Sequence, residues 1–434
     1  MAVVGGGPAG SFFAYFLLKM AEAVELEVEV DVFEPRSFAR CGPSGCNHCG
    51  GIVSESLVQI LAAEGINLPP TVAQRGIESY VVHMDAGSVE IASPVGERRI
   101  AALYRGNGPR TGEDLPWEGF DGFLQRMAVE RGAHVVRKLI CGVEWRSGLP
   151  HLLEADGEAT AYDLVCVATG VNSNFLGSLE RMGIEIDRPG TTRTFICEFR
   201  SSPEEIRRVL GDSMHVFLLD IPRLEFAALI PKGDFVTMCL LGDDLDQELV
   251  DAFLGSTEVR RCFPVETTPC VCSCSPLINV RGARKPFADR LVLIGDSGVT
   301  RLYKDGIGAS FRTAKAAATT AVFHGISEEA FRRHYWPSCK AISTDNAIGK
   351  VLFFVTHLFK HARFSRRAIL RMTRREQERR HGPRRLSAVL WNMFTGSAPY
   401  KEIFIGSLHP AFIGGMLWNL LLGLWPASGH RIEA

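Results

Sequence analysis

The first forty residues alternate between apolar runs and amphipathic stretches in the order expected of a nucleotide-binding unit. A short apolar run leads into the string GGGPAG, and the apolar residues of SFFAYFLLKMAEA predict a helix directly after it. LEVEVDVFEP then alternates apolar and acidic residues, which predicts a second strand that ends at Glu34. The pattern therefore predicts strand, glycine loop, helix and strand.

Further along, β-branched and apolar residues cluster in short runs that are typical of strands. TTRTFICEF, HVFLLDI and DFVTMCLL predict an antiparallel sheet in the middle of the chain. DRLVLIGD then predicts a buried strand, and a long alanine-rich segment predicts the helix that follows it. Together these elements predict an α/β protein with a Rossmann-like domain and a second domain built on an antiparallel sheet.

The glycine loop has the spacing of a dinucleotide-binding site. Gly5, Gly7 and Gly10 form a Gly-x-Gly-x-x-Gly fingerprint between the first strand and the helix. The first glycine allows a tight turn, the second lets a pyrophosphate approach the helix N-terminus, and the third lets the helix pack on the strand. Glu34, at the end of the second strand, is placed to accept hydrogen bonds from a ribose.

A second motif indicates which dinucleotide is bound. Gly295-Asp296 follows a predicted strand, and Gly306-x-Gly308 opens the alanine-rich helix. With GGGPAG and VFEPR, this resembles the FAD-binding pattern of the flavoprotein hydroxylase and geranylgeranyl reductase superfamily. The resemblance implies that FAD is the cofactor, that Asp296 holds the ribityl chain, and that the helix N-terminus points at the flavin pyrimidine. A positive helix end there would stabilise an anionic reduced flavin.

Other segments favour the geranylgeranyl reductases within this superfamily. LIPKGDF resembles the substrate-domain hairpin of these reductases and of their relatives that pass electrons to quinones. FDGFLQRMAVERGAHVV resembles the family's helix and strand beside the flavin domain. One departure weakens hydroxylation driven by NADPH, because Thr169 precedes Gly170 and Leu176 stands where hydroxylases usually have an arginine. There is also no second glycine fingerprint for a nicotinamide domain. A protein carrier or transient NAD(P)H is therefore the expected electron donor.

The predicted domains are discontinuous. The FAD-binding domain takes residues 1–75, 105–180 and 285–345, and the substrate domain takes 76–104 and 181–284. Residues 346–434 form a C-terminal helical region that we predict to be associated with a membrane.

That C-terminal region combines basic and apolar residues. Its basic residues far outnumber its acids in the stretch that includes Lys360, Arg363, Arg366, Arg367, Arg371, Arg374, Arg375, Arg379, Arg380, Arg384 and Arg385. An apolar segment flanked by Trp418 and Trp425 follows, interrupted by His409, Pro410 and Asn419. A basic amphipathic segment beside a Trp-flanked apolar one is typical of a membrane-surface anchor. The alternative is a helical lid on the flavin domain with a solvated basic face.

The string CGPSGCNHCGG packs three cysteines into the loop after the second strand. In the reductases that it resembles, a Cys-Gly-Gly lies against the flavin ring, which implies that Cys49, Gly50 and Gly51 do so here and that the Cys49 thiol is catalytic. Cys41, Cys46 and Cys49 also have the spacing of an iron–sulfur ligand set, with Cys272 or its neighbours Cys270 and Cys274 as the fourth ligand.

Three interpretations of this cluster stay open. They are an iron–sulfur or metal site, a redox-active Cys46–Cys49 disulfide, and packing thiols of which only Cys49 is functional. The cysteines that stand singly in apolar stretches are expected to be core residues, namely Cys141, Cys166, Cys197, Cys239 and Cys262.

Two basic residues complete the candidate site. Lys304 stands in the loop before the flavin-motif helix, where it is predicted to offset negative charge at flavin N1 and O2. Arg105 follows the apolar string AALY and is predicted to reach the cofactor or an anionic headgroup, with a surface position as its alternative.

Composition narrows the remaining possibilities. The chain has 434 residues and a formal net charge of −1, which gives no reason to expect a nucleic-acid partner. Twelve cysteines in a chain of this length do not form a small secreted disulfide framework, and the N-terminus does not resemble a signal peptide, so we expect a cytoplasmic protein at the membrane face.

The predicted function is the reduction of carbon–carbon double bonds in a lipophilic, isoprenoid-type substrate. The alternatives are a flavoprotein that relays electrons from a protein donor to quinone, and a flavin-bearing redox sensor or assembly subunit without turnover.

Overall fold

The protein was analysed as a computed structural model, which describes residues 1–40, 49–93, 100–109, 117–181, 186–263, 270–379 and 381–424. Within these ranges the chain has a mixed α/β fold, as the apolar patterning predicts. The statements below concern these residues.

The strands are short and belong to five sheets. They are β1 (Ala2–Val4), β2 (Asp31–Phe33), β3 (Ile52–Val53), β4 (Ala73–Ile77), β5 (Ser79–Met84), β6 (Gly87–Ala92), β7 (Ile100–Leu103), β8 (His134–Val136), β9 (Ile140–Arg146), β10 (Leu149–Glu154), β11 (Ala159–Ala161), β12 (Val165–Val167), β13 (Gly190–Arg193), β14 (Phe195–Arg200), β15 (Ser213–Phe217), β16 (Leu224–Lys232), β17 (Phe235–Gly242), β18 (Cys272–Cys274), β19 (Leu277–Arg281), β20 (Phe287–Ala288) and β21 (Leu291–Leu293).

The longest run of helices lies in the last third of the chain. The helices are α1 (Pro8–Ala23), α2 (Glu55–Ala63), α3 (Phe120–Glu130), α4 (Phe175–Arg181), α5 (Pro203–Leu210), α6 (Gln247–Gly255), α7 (Thr257–Arg260), α8 (Gly306–Phe323), α9 (Glu328–Ala330), α10 (Trp336–His361), α11 (Arg363–Glu378), α12 (Arg385–Thr395), α13 (Tyr400–Ser407) and α14 (Pro410–Leu424). The run in the last third extends from α8 to α14. A π-helical turn, Phe331–Tyr335, joins α9 to α10.

A six-stranded sheet forms the Rossmann-like part of the molecule. Its order is β20-β21-β12-β1-β2-β8, and every pairing is parallel except that of β20 with β21. β1 lies inside this sheet, between β12 and β2, and all three of its residues are buried. This explains why all three are apolar. Helices α1, α3 and α8 pack together beside it through aromatic contacts such as Phe12 and Phe16 with Phe311, at 5.6 and 5.2 Å between ring centroids.

A seven-stranded sheet forms the second layer, in the order β18-β14-β17-β16-β15-β5-β6. Its pairings are antiparallel except that β5 and β15 run parallel, so the prediction of a purely antiparallel sheet is wrong at this one pair. All seven strands lie inside the two ranges predicted for the substrate domain, while the division into domains stays a prediction.

A small antiparallel sheet, β3-β7-β4, links these two layers. Its strands come from both sides of the predicted domain boundary, and β7 also packs against β16 of the seven-stranded sheet. In this sheet, β3 begins directly after Gly51, and β7 ends directly before Tyr104 and Arg105. The small sheet therefore places residues of the candidate site between the two larger sheets.

Helices α10 to α14 cover the outer part of the seven-stranded sheet. Trp391 of α12 packs on Tyr80 of β5, with 4.9 Å between ring centroids, and the Gln377 side chain of α11 accepts a hydrogen bond from the Ala92 amide of β6 at 3.4 Å. No single helix in the described part of the chain is long and apolar enough to cross a bilayer, although α13 and α14 meet that criterion together as a pair bent by 69°. Trp425 lies outside the described residues.

The basic residues of this region are not all solvent-exposed, which corrects the expectation of a continuous basic face. Lys360 is buried, and its ammonium donates to the backbone carbonyls of Leu224 and Glu225. Arg366 is also buried, and its guanidinium lies 2.5 Å from Asp85 and 3.4 Å from Asp220. These two cations attach the helices to the sheet because a buried charge is stable only when it is paired.

Candidate active site

The loop between β1 and α1 presents a helix N-terminus at the edge of the six-stranded sheet. Gly7 is the N-cap of α1, and no side chain caps this helix. A Cβ at Gly10 would lie 1.9 Å from the Gly5 carbonyl oxygen, so only glycine allows the helix to sit this close to the loop. Gly5 itself has a φ of +107°, which other residues rarely adopt. The result is an uncapped helix end that can bind a phosphate group.

Glu34 lies beside this loop, as the fingerprint predicts. Its buried carboxylate accepts hydrogen bonds from the Gly6 amide at 3.1 Å and from the Arg36 side chain at 3.0 Å. The Arg36 backbone amide and Nη2 also donate to it, at 3.1 and 3.5 Å, which fills the capacity of about four hydrogen bonds. A ribose would therefore have to displace the half-exposed Arg36 side chain. Beside Gly6, the buried side-chain Nε2 of Gln125 has no hydrogen-bond partner among the described residues. A buried amide donor without a partner beside the glycine loop fits a polar ligand there.

The second predicted motif also adopts a strand-turn-helix arrangement. Asp296 follows β21, and burial raises the pKa of its carboxyl, while the nearby charge of Arg105 opposes this shift. α8 starts at Gly306 and, like α1, has no side-chain cap. At Gly308 a Cβ would lie 2.1 Å from Asp305 Oδ1, so glycine is needed for the turn that opens the helix. Gly295 ends the strand, and its amide donates to Thr313 Oγ1 at 3.0 Å.

Arg105 brings the separate motifs together. Its guanidinium is held by two hydrogen bonds to the fully buried Asp121, at 3.0 and 2.8 Å. A Cβ on Gly7 would lie 3.2 Å from the same guanidinium. The charge of Arg105 also interacts with Asp296 and with Cys49. The structure therefore groups the glycine loop, the Gly-Asp turn and the Cys-Gly-Gly segment around one fixed cation, which excludes the alternative of a free surface arginine.

The Cys49-Gly50-Gly51 segment lies between the small sheet and the seven-stranded sheet. Gly51 has a φ of +68°, and a Cβ there would lie 1.8 Å from the Leu103 carbonyl oxygen. A Cβ on Gly50 would instead lie 3.7 Å from the Cys239 sulfur of β17. The Gly51 amide donates to Cys49 Sγ at 3.3 Å, and the Cys49 thiol is free. Gly51 thus allows the backbone to lie directly against the end of β7. The Cys49 thiol is oriented by its hydrogen bond from the Gly51 amide.

Behind this segment is a buried polar network that sequence patterning did not predict. Glu198, Lys232 and Thr237 are completely buried, and Tyr104 is 4% exposed. The Thr237 hydroxyl donates to the Glu198 carboxylate at 2.8 Å, and the Tyr104 hydroxyl does so at 3.3 Å. Burial raises the pKa of Glu198, and the positive charge of Lys232 opposes this shift.

The ammonium of Lys232 is the most unusual group in this network. It lies 4.4 Å from the centre of the Tyr104 ring and has no hydrogen-bond partner among the described residues. A Cβ on Gly51 would lie only 2.9 Å from it, so the ammonium adjoins the Cys-Gly-Gly segment. Burying a cation without hydrogen bonds is costly, which indicates a site that is completed by a bound molecule.

Lys304 has a different environment from the one predicted. Its ammonium donates to the backbone carbonyls of Asn392 at 2.7 Å and of Ala398 at 3.3 Å, and it lies 4.1 Å from the centre of the Tyr400 ring. Burial and the charge of Arg301 lower its pKa. These contacts attach the loop before α8 to the C-terminal helices, and the role of Lys304 at the flavin stays a prediction.

The predicted iron–sulfur ligand set finds no support. Cys41 and Cys46 lie outside the described residues, and Cys270 forms a disulfide with Cys197, which removes it from the candidate ligands. Cys197 is buried in the core as predicted, and the disulfide is an addition to that prediction. Cys272 lies in β18, where it is opposite Glu198 in the register.

The other cysteines divide between core and surface. Cys166, Cys239 and Cys262 are buried as predicted, whereas Cys141 is exposed, so the prediction for it is wrong. Cys141 stands in β9, and strand alternation turns it to solvent although its neighbours in sequence are apolar. Burial raises the pKa of Cys239 to about 12, with a smaller contribution from the nearby Cys49. Cys239 is therefore a neutral thiol beside the candidate site.

Comparison with solved structures places this arrangement in a known fold. A geranylgeranyl bacteriochlorophyll reductase-like protein from Thermoplasma acidophilum is 15% identical, with 96% of this chain and 98% of that chain covered and a TM-score of 0.66. A p-nitrophenol 4-monooxygenase from Pseudomonas putida is 12% identical, with 92% and 98% covered and a TM-score of 0.60. A halogenase solved in complex with FAD is 12% identical, with 97% and 90% covered and a TM-score of 0.60.

The chain thus has the fold of these three proteins, a geranylgeranyl reductase-like protein, a monooxygenase and a halogenase. The resemblance inferred from the two glycine motifs is confirmed at the level of the fold. No protein-family model matches the sequence, and no curated protein does.

Proposed function

We propose that this protein is an FAD-dependent oxidoreductase that reduces carbon–carbon double bonds of a lipophilic, isoprenoid-type substrate at a membrane surface. The observation that carries the proposal is the convergence at Arg105 of the glycine loop, Asp296 and Cys49. Beside them lies the Lys232 ammonium, which has no hydrogen-bond partner within the described part of the chain. The similarity to a geranylgeranyl reductase-like protein supports this class of substrate.

The residues fit FAD at each of the places that the motifs predict. The uncapped N-terminus of α1 would bind the pyrophosphate, Glu34 the ribose, and Asp296 the ribityl chain. The uncapped N-terminus of α8 would lie at the flavin pyrimidine and favour its reduced, anionic form. The partnerless Gln125 amide adds a donor next to the glycine loop.

When bound, FAD supplies hydride transfer to one carbon of the double bond. The second carbon needs a proton, and Cys49 Sγ is a free thiol that can provide it. The thiolate that remains would be stabilised by the positive charges of Arg105 and Lys232, and it would take up a proton from solvent before the next turnover. The two electrons come from a protein carrier or from transient NAD(P)H.

Association with a membrane is proposed from the C-terminal helices. Large apolar side chains that are more than one-third exposed are concentrated on α10, α13 and α14, namely Val351, Phe354, Val355, Leu358, Ile405, Leu408, Ile413, Leu417, Trp418, Leu421 and Leu424. Exposed apolar side chains at this density are typical of a surface that contacts lipid or another apolar partner. A lipid surface would also deliver an isoprenoid substrate.

The proposal is tested by single-turnover reduction. Anaerobic protein is reduced with dithionite and mixed with a geranylgeranyl lipid in vesicles, and the product is analysed by mass spectrometry for the gain of two hydrogens per reduced double bond. We expect Cys49→Ser to keep its flavin and to lower the rate by roughly 10²-fold or more, because it removes the general acid.

The exposed Cys141→Ser is the matched control and should behave as wild type. Reduced protein that is reoxidised by a quinone but never hydrogenates the lipid would instead support electron transfer to quinone. Protein that is reoxidised by neither would contradict an enzymatic role for these two substrate classes.

A further inference from the structure

A second group of reactive side chains lies on the opposite face of the seven-stranded sheet. His83 is in β5 and His215 is in the adjacent strand β15, while Cys262 follows helix α7. All three are buried, with exposures of 9%, 6% and 6%. Cys262 belongs to the core between the sheet and helices α5 to α7, and His83 stacks on Phe217 of that core at 4.7 Å.

This face is separate from the candidate active site. Along β14, Cys197 and Phe199 point into the core with α5 to α7, so Glu198 between them points to the other face. The group of His83, His215 and Cys262 is therefore divided from the Cys-Gly-Gly segment by the sheet itself, and none of its three members has a role in the proposed reduction.

The three potential ligand atoms are arranged at the spacing of a metal site. His83 Nε2 lies 2.9 Å from His215 Nδ1 and 3.6 Å from Cys262 Sγ, and all three atoms are within 4.8 Å of one another. In a tetrahedral zinc site two imidazole nitrogens are about 3.3 Å apart, and nitrogen and sulfur are about 3.6 Å apart, given the usual bond lengths. The distances are close to these values, but the ring centres of His83 and His215 are 5.0 Å apart and their facing nitrogens 2.9 Å apart, so the two nitrogens point at each other. Both rings must rotate before the two nitrogens face one ion.

One ring nitrogen of His215 is hydrogen-bonded to the backbone, which leaves the other ring nitrogen facing His83. Its Nε2 lies 3.2 Å from the Leu210 carbonyl oxygen. Because a carbonyl only accepts, Nε2 carries the proton and Nδ1 has a lone pair directed at His83 and Cys262. An imidazole that donates one N–H to a backbone carbonyl and offers the other nitrogen is the usual arrangement of a metal-ligating histidine.

We propose that His83, His215 and Cys262 bind a borderline or soft transition-metal ion, Zn²⁺ or Cu⁺. Thiolate and imidazole ligands suit both ions. Binding releases the thiol proton of Cys262, and the proton on His83 moves from Nε2 to Nδ1. The ion would connect two central strands of the sheet to the segment after α7. Its role is structural, since it lies across the sheet from the candidate active site.

Metal analysis of the purified full-length protein tests this proposal. We expect about one equivalent of zinc or copper per chain, and after chelation we expect Co²⁺ to produce a thiolate-to-cobalt charge-transfer band that Zn²⁺ abolishes. Cys262→Ser and His83→Gln should lose the metal and the band. The exposed Cys141→Ser is the matched control and should keep both.

Flavin content is recorded in each sample, so that failure at the flavin site and failure at the metal site remain distinguishable. If Cys262→Ser does not fold, His83→Gln decides the assignment, because His83 lies across the sheet from the Cys-Gly-Gly segment and a band that persists in this variant overturns the proposal. Wild-type protein without metal and without a cobalt band would overturn the proposal, as would a Cys262→Ser variant that keeps its metal. His83 and His215 would then form only a hydrogen-bonded core pair.

Discussion

Glu198 and Lys232 are opposite charges in a fully buried part of the molecule, close to the only segment of the described chain that combines a free cysteine with two glycines. Burial raises the pKa of the Glu198 carboxyl, and the positive charge of Lys232 opposes this shift.

The raised pKa of Glu198 predicts how stability changes with pH. Its ordinary value is 4.5, and burial holds the carboxyl protonated to a higher pH in the folded protein. The unfolded chain ionises first, so this group lowers the free energy of unfolding progressively as pH rises from 4.5 to the folded pKa. Glu198→Gln has no carboxyl to ionise and therefore lacks this loss. Urea denaturation should show that its free energy of unfolding rises relative to that of wild type over this pH range.

The exposed Glu204→Gln is the matched control, and its stability should follow wild type at every pH. If Glu198→Gln and wild type differed by the same free energy at every pH, Glu198 would not have the raised pKa.

Individual residues of the site differ in how far the sequence could predict them. Gly5 and Gly10 were predictable because a turn or a close backbone approach imposes glycine locally. Asp296 was predicted only from the resemblance of its motif to a known flavin-binding pattern. Glu198 and Lys232 were not, since their proximity depends on the register that places Glu198 opposite Thr237 in a neighbouring strand. A single charged residue inside an apolar strand was the only sequence signal for either of them.

Among the structural elements, α1 and α8 are the ones that a cofactor needs most. α1 follows its N-cap Gly7 and α8 begins at Gly306; both lack a side-chain cap, and they pack against each other beside the six-stranded sheet. An uncapped helix end leaves backbone donors available for an anionic ligand. The two elements thus define both ends of the proposed flavin site.

Gly10→Ala tests the close approach of α1 to its loop. The added Cβ would lie 1.9 Å from the Gly5 carbonyl oxygen, so α1 must shift. We expect a loss of about 1–3 kcal/mol in the free energy of unfolding together with weakened FAD retention.

Gly414→Ala in α14 is the matched control, because its Cβ would meet nothing within 4 Å. It should stabilise the protein by up to about 1 kcal/mol through helix propensity. Equal FAD retention in wild type and Gly10→Ala would contradict the role of this loop.

The sequence predicted where strands and helices lie along the chain better than it predicted which of them pack or pair together. The apolar runs predicted the strands of the seven-stranded sheet, but the parallel pair β5 and β15 depends on a long connection that no local pattern reveals. The same applies to the basic C-terminal region. Lys360 and Arg366 read as surface charges in the sequence, and only the packing of α10 and α11 shows that the sheet buries them.

For the whole molecule, the exposed apolar side chains of α13 and α14 predict binding to lipid vesicles. Trp418 and Leu421 are 59% and 53% exposed, and each would lose contact with water at a membrane. Replacing both with Glu should lower partitioning into vesicles by on the order of 10²-fold or more, measured by flotation. Binding should persist in high salt, because salt weakens only the electrostatic contribution.

The control replaces two equally exposed apolar residues elsewhere, Leu139 and Phe323, with Glu. This variant should bind vesicles as wild type does. A full-length protein that stays entirely with the soluble fraction would contradict the proposed membrane surface.

The central claim is that the chain holds FAD between its two uncapped helices, and the most direct test is to identify the flavin released from purified protein by denaturation. We expect about one FAD per chain in wild type, and much less in Asp296→Ala, since a hydrogen bond to a charged acceptor contributes about 1.5–3 kcal/mol. Wild-type protein that contains no FAD and takes up none when FAD is added would contradict the claim.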